Sequence, residues 1–225
     1  MPAAKSTKAK PAKAKPAANP AKAKSTKARP AKKSAEPKPS KSKAAKAKPV
    51  GSPLARPLTP TAAGAHCWLV KSEPDVYSID HLARDGKTAW EGVRNYQARN
   101  HMRDDMKVGD PVLFYHSNAD PPAIVGLARV AGAPYPDPTQ FDSKSDYHDP
   151  RATRDEPRWQ LVDLAFVEKF PAPITLDQLR TDPALTGMYV AKKAHRPSVQ
   201  PVEPWHLLHV AELGHSSKAR AMVNP

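Results

Sequence analysis

The densest chemistry in the sequence lies in Trp90-Glu91-Gly92-Val93-Arg94-Asn95-Tyr96-Gln97-Ala98-Arg99-Asn100. An indole beside a glycine offers a flat stacking face, and the amide and guanidinium groups that follow offer donors to the edge of a planar polar ligand. A helix starting near Asn95 would add oriented backbone N–H groups that favour phosphate or carbonyl oxygens. The same texture also fits a Trp90 that is plain core with its polar neighbours on the surface, and residue types alone leave these two readings level. Other combinations point to less. His206 and His209 stand three apart with no third ligand nearby, and Asp104-Asp105 and Asp155-Glu156 read as solvated loop acids. Neither a Gly-rich phosphate loop nor a Gly-x-Ser-x-Gly elbow occurs. Cys67 is the only cysteine, which excludes an internal disulfide or a multi-cysteine zinc site and suits a reducing compartment. No metal site and no cofactor is expected.

The elements that must position these residues follow from short apolar runs between turn signals. Cys67-Trp68-Leu69-Val70 reads as a buried strand ended by Lys71-Ser72-Glu73-Pro74. Ser78 can cap a short helix over Ile79 to Arg84, which Gly86 stops. A second helix is predicted from Asn95 to Met102, with Asn95, Arg99 and Met102 or Arg103 on one face. Lys107 to Asp110 makes a turn into the strand Val112-Leu113-Phe114-Tyr115, and Ala123 to Val130 and Trp159 to Val167 are two further strands. Glu203 to Leu213 closes the chain as an amphipathic helix with Pro204 in its first turn. Strands outnumber helices and the helices are short, so an α+β fold is expected, a small curved or barrel-like sheet rather than a doubly wound parallel one. The stretch from Pro134 to Pro157 is a long loop rich in Pro and Asp, of the kind that is often functional.

Composition divides the chain sharply. Residues 1–64 hold 17 Lys and Arg against the single acid Glu36, a net +16, within Ala, Pro, Ser and Thr. The whole chain is +14, so residues 65–225 carry 19 basic against 21 acidic groups, a net −2. A segment so poor in large apolar residues cannot offset an ordering cost of roughly 1–2 kcal/mol per residue, and 1–64 is expected to be a disordered tail. Proline spreads its lysines along extended chain, an arrangement that meets phosphate backbones rather than base edges. The predicted organisation is a tail at 1–64, a folded domain at 65–215 and a short C-terminal tail at 216–225. No apolar run suggests a membrane span or a secretory signal, so an intracellular protein is expected: in cytoplasm or nucleoid in a bacterium, in the nucleus in a eukaryote.

The folded part resembles the EVE domain family, one of the PUA-like folds. The resemblance is carried by Trp68 to Pro74 with Tyr77-Ser78-Ile79, by Trp90 with Gly92 to Asn100, and by Val112 to Asn118. It continues through Ile124-Val125-Gly126, Ala133 to Asp142, Pro157-Arg158-Trp159 and Arg196 to Val202. Cys67 departs from the family in a position where an aromatic is more usual. The tail lies outside this resemblance and is similar instead to the Lys/Ala/Pro-rich extensions of linker histones and bacterial histone-like proteins.

What the resemblance implies is a PUA-like curved β-barrel of about five to six strands with short flanking helices. It also implies binding of nucleic acid, DNA or RNA, through a modified base turned out of its strand, with no enzymatic step; a monomer is expected. Such a base needs an aromatic wall, edge-directed hydrogen bonds and a basic rim for flanking phosphates. Carried over residue by residue, Trp90 would be the stacking wall. Lys71, Ser72, Gly92, Val93 and Asn95 would line the pocket and read the base edge, and Tyr115, His116 and Ser117 would form its floor. Tyr135 or Phe141 would close the cage, Arg94, Arg99 and Arg196 would meet phosphates, and Ser198 would give a supporting hydrogen bond. Two rival classes are an enzyme using Glu73 or His116 as acid or base on a nucleotide or damaged base, and an architectural protein acting through its tail. If about half the tail's charges engage duplex DNA, the log–log salt slope of binding is on the order of −7. Deleting residues 1–64 should flatten that slope sharply in a salt titration of DNA affinity, and an unchanged slope would remove the tail from the binding.

Overall fold

In the computed structural model, residues 66–192 and 197–223 are described, and the expected tail at 1–64 lies outside them. A six-stranded sheet organises these residues, in the order β2-β7-β4-β3-β1-β8. Its strands are β1 (Cys67–Ser72), β2 (Lys87–Ala89), β3 (Pro111–His116), β4 (Ala123–Val130), β7 (Asp163–Thr175) and β8 (Val199–Val202). A separate ribbon pairs β5 (Tyr135–Pro136) with β6 (Gln160–Leu161). Only β1 and β3 run parallel, and every other pairing in the sheet is antiparallel.

The central strands are buried on both faces, which explains why Cys67 to Val70 and Val112 to Tyr115 read as continuous apolar runs instead of alternating ones. Alternation then sorts their side chains into two cores. Trp68, Val70, Val112 and Phe114 pack with Leu82 of α1 (Ile79–Asp85) and Ala98 of α2 (Tyr96–Asn100). Leu69, Leu113 and Tyr115 pack on the other face with Leu179 of α3 (Leu176–Thr181) and with Leu207 and Val210 of α4 (Pro204–Leu213). Register slips in the pairing of β4 with β7 bend the 13-residue β7 along its length and curl the sheet. The Cys67 thiol, buried beside Asp110 and Glu203, is pushed up to about 12 by that burial and is a packing group.

The helix starts follow local chemistry. Ser78 accepts from the His81 N–H, the His81 ring returns the bond to the Ser78 N–H, and Gly86 ends the helix at φ +73°. Asn95 is a cap rather than a helical residue, and after Asn100 the coil widens into a π turn over His101–Asp105. The helix expected as one piece to Met102 is therefore two short segments. The expected strand from Trp159 to Val167 is likewise longer and interrupted, as β6 and β7. Residues 216–223, read from sequence as tail, continue the fold: Ser216 and Ser217 donate to the Glu168 carboxylate, and α5 (Ala219–Val223) buries Ala219 and Val223 in the second core.

At Gly126, β4 comes close to both β7 and α1. A Cβ there would lie 2.5 Å from the Glu168 backbone oxygen and 3.0 Å from Ile79, and backbone cannot move aside cheaply. Gly126→Ala should lower stability by about 1–3 kcal/mol, read as a reduced urea midpoint with an unchanged m-value.

Candidate functional site

The segment after β2 is pinned from both sides. The Trp90 N–H donates to the Val162 oxygen at 2.9 Å, and the Gly92 N–H donates to Asp137 Oδ2 at 3.0 Å. Gly92 has φ +79°, and a Cβ on it would meet the Tyr147 ring at 2.9 Å, so that ring lies directly against the glycine backbone. Arg94 is drawn into the same knot. Its guanidinium pairs with Asp137 Oδ2 at 2.7 Å, donates to Thr139 Oγ1 at 2.9 Å and to the Tyr147 backbone oxygen, and sits over the Tyr147 and Trp159 rings. Arg94 was expected at a phosphate; its N–H groups are instead committed inside the fold, because Asp137 is 1% exposed and needs a cation.

Trp90 differs from expectation in the same way. The indole is 3% exposed and packs edge-on to Phe114, with ring centroids 5.6 Å apart. It is a wall of the first core and does not face an open cleft. The backbone bond to Val162 turns the ring inward beneath the sheet, where Val93, 2% exposed, packs in the same core. Yet the indole N–H finds no acceptor among the described residues. Phe114 in turn meets the His116 ring edge-on at 5.8 Å.

The parallel pair β1 and β3 places Lys71 beside Tyr115 and Ser72 beside His116. Because neighbours along a strand point to opposite faces, these four do not line one surface. Ser72 and His116 share the Trp90 face, while Tyr115 is buried in the second core and Lys71 lies on its side, half-buried, with burial lowering its ammonium pKa. The His116 Nε2 accepts from the Ile79 N–H at 3.1 Å, which assigns the proton of a neutral ring to Nδ1. Burial lowers the His116 pKa and Asp80 opposes the shift. Just past the strands, the Ser117 N–H bonds to the Ser72 oxygen, the Ser198 oxygen accepts from the Lys71 N–H at 2.8 Å, and the Asn118 amide donates to the Glu73 carboxylate. Arg196 lies outside the described residues. Asn95, exposed, spends its Oδ1 on the Ala98 N–H at 3.0 Å and leaves only its amide N–H groups to reach outward.

The long loop is built around three buried polar side chains that sequence reasoning passed over. Asp137 caps a turn beginning at Pro138; Gln140, fully buried, bridges the backbone at Asp137, Arg158 and Trp159; and Asp149 accepts from the Trp159 indole at 2.9 Å. The Asp137-Pro138-Thr139 run carried a readable signal, an acid capping residue followed by Pro at the first helical position. Tyr135 is 38% exposed and donates to Asp163, whereas Phe141 stacks under Arg154. Arg99 lies over Tyr96, which stacks on Trp159 at 4.9 Å, and donates to the Arg158 oxygen. Glu91, also missed, is half-buried and makes no hydrogen bond among the described residues. Burial first and Asp137 second push its carboxyl up to about 7, against the pull of Arg94.

The EVE domain family matches residues 66–213. Thymocyte nuclear protein 1 of Mus musculus is 44% identical over 125 residues, covering 51% of this chain and 55% of that protein. The Homo sapiens protein of that name is 42% identical over the same shares. The chain thus spans about half the length of these curated relatives. Among solved structures, a Pseudomonas putida protein is 47% identical with a TM-score of 0.63, covering 65% of this chain and 98% of the other. Human THYN1 protein in complex with 5-methylcytosine-containing DNA is 36% identical with a TM-score of 0.62, covering 68% and 99%. The PUA-like α+β expectation agrees with these neighbours.

Asp137 joins the Trp90 segment to the long loop, and its removal strands a cation. Asp137→Ala should cost about 3–5 kcal/mol in chemical denaturation and should make residues 134–158 cleave faster in limited proteolysis.

Proposed function

Because the chain belongs to the EVE domain family, we propose that it reads a modified base in DNA or RNA, by binding and without chemistry, as a monomer. The observation that carries this reading is the Trp90 indole N–H, buried without an acceptor at the edge of the most feature-rich segment of the sequence. Leaving such a group unpaired costs about 1–3 kcal/mol, and a folded protein that tolerates the cost usually has a use for the group. An incoming base edge would supply the missing acceptor. The complex of human THYN1 with 5-methylcytosine-containing DNA supports a base of that kind as the ligand. Since the indole is sealed in the structure described, association includes a step in which the cover over Trp90 parts, and the measured on-rate carries that step.

Against the enzyme reading, both candidate catalysts are occupied: the His116 lone pair is held by the Ile79 N–H and the Glu73 carboxylate by Asn118. Arg99, expected from the start beside phosphates, and Arg158 next to it would meet the flanking phosphates, while Arg94 is committed to Asp137. The basic tail at 1–64 belongs to the same proposal, raising affinity for any polyanion and leaving selection to the domain. Leaving that base edge without its donor costs about 1–3 kcal/mol, so Trp90→Ala should weaken binding to a 5-methylcytosine oligonucleotide by about five- to 150-fold. Loss of core volume also destabilises that variant, so Trp90→Phe is the control: it keeps a ring, removes the N–H and should lose part of the preference for the modified over the unmodified oligonucleotide. Both variants are read by equilibrium titration below their melting temperatures. An unchanged preference in both would place the base elsewhere.

A further inference from the structure

At the end of β1 away from Lys71 and Ser72 lies a cavity of about 300 Å³, walled in part by His66, Trp68, Tyr189, Glu203, Pro204 and His206. Rings make up much of this wall. His66 lies parallel to Trp68 with ring centroids 6.3 Å apart, and Tyr189 is 42% exposed. At the edge, Trp205 is 41% exposed and tilts against the His206 ring at 5.5 Å. Burial lowers the His206 pKa, so that ring adds no charge. Glu203 is different. It stands exposed at the cap of α4 without bonding the helix start, and its carboxylate has no partner among the described residues. Among those residues it is the only carboxylate in the wall, and neither Lys nor Arg lines the cavity with it. Tyr189 already holds one ammonium, that of Lys192, 4.5 Å from its ring centroid and outside the cavity wall.

One unpaired negative charge among ring faces is the chemistry that recognises an alkylammonium: the carboxylate attracts it, and the rings replace part of the hydration it loses on entry. Aromatic walls also receive proline, whose ring brings apolar surface on a chain already extended. We propose that this cavity is the seat of a Lys-Pro step from the chain's own segment 1–64. That segment joins the described structure at His66, itself part of the wall. It holds four such steps, Lys10-Pro11, Lys15-Pro16, Lys38-Pro39 and Lys48-Pro49, within a net charge of +16. The nearest, Lys48-Pro49, is separated from His66 by 16 residues, a tether that spans up to about 50 Å and so has length to turn back on the cavity. Tethering sets the lysine at an effective concentration near the millimolar range, which fills even a weak seat. Proline keeps the residue before it extended, so less order is lost on docking. The seat adds a second anchor to the covalent joint, and a polyanion that takes the same lysine competes with it.

The experiment treats the full-length protein with a water-soluble carbodiimide, which condenses a carboxylate with a touching amine into an amide and takes up the water released. Products in the monomer band are mapped by mass spectrometry. An amide from Glu203 to a lysine of 1–64, Lys48 foremost, should exceed amides from Glu212, exposed on the same helix and the measure of chance encounter. Glu203→Gln should abolish it. Tyr189→Ala keeps the carboxylate and removes a ring, and should lower the Glu203 yield about two- to fivefold with the Glu212 background unchanged. Tyr189→Phe restores the ring and should restore the yield, which separates loss of the wall from loss of the fold. Equal yields at Glu203 and Glu212, or a Glu203 yield indifferent to Tyr189→Ala, overturns the seat. So does an amide from Glu203 to Lys192 in place of the tail, or one confined to a crosslinked dimer, where the tail has reached a second copy. The reader function stands or falls separately, since none of these yields depends on a modified base.

Discussion

The contact on which the rest of the candidate site depends is the ion pair between Arg94 and Asp137. Asp137 is sealed from water, so its charge is tolerable only with a cation and donors around it, and it collects the Arg94 guanidinium, the Gly92 N–H and both polar groups of Thr139. That single carboxylate ties the segment after β2 to a loop forty residues further along. Tyr147 is held against Gly92 by the same guanidinium, which donates to its backbone oxygen. Polar groups here do what an apolar contact could not: they fix direction as well as distance, at a price in desolvation that only complete satisfaction offsets.

This arrangement also sets what can move. The strands that carry Ser72 and His116 are locked by a parallel ladder and by the helix cap at Ile79. The loop carrying Tyr135 and Tyr147 is tied to the segment after β2 through Asp137, to β7 through Tyr135, and to Trp159 through Gln140 and Asp149.

Apolar runs and turn residues made the sheet legible. Cys67 to Val70, Val112 to Tyr115 and Ala123 to Val130 fell where read, and Ser78 and Gly86 bracketed α1 because cap chemistry is local. The helix after Asn95 was read too long because nothing in the pattern announces a π turn at His101. The site was less legible for a different reason. Residue type showed that Trp90, Arg94 and Asn95 were chemically rich, but whether a side chain faces water depends on tertiary partners such as Val162 and Asp137, far away in sequence. Lys71 and Ser72 were assigned to one surface although a strand sends adjacent residues to opposite faces, a constraint available from sequence once β1 was recognised. Glu91 escaped notice because an isolated acid has no signature until its neighbours are known.

The seating of α5 carries a practical consequence. Ala219 and Val223 fill the face left by α4 and β3, and the Glu168 carboxylate gathers three successive residues at the approach to that helix. A fragment excised at Leu213, where the family likeness stops, would bare an apolar strip along α4 and leave a carboxylate without its donors. Purified alone, such a fragment would tend to self-associate through that strip, and aggregation would be mistaken for a property of the domain.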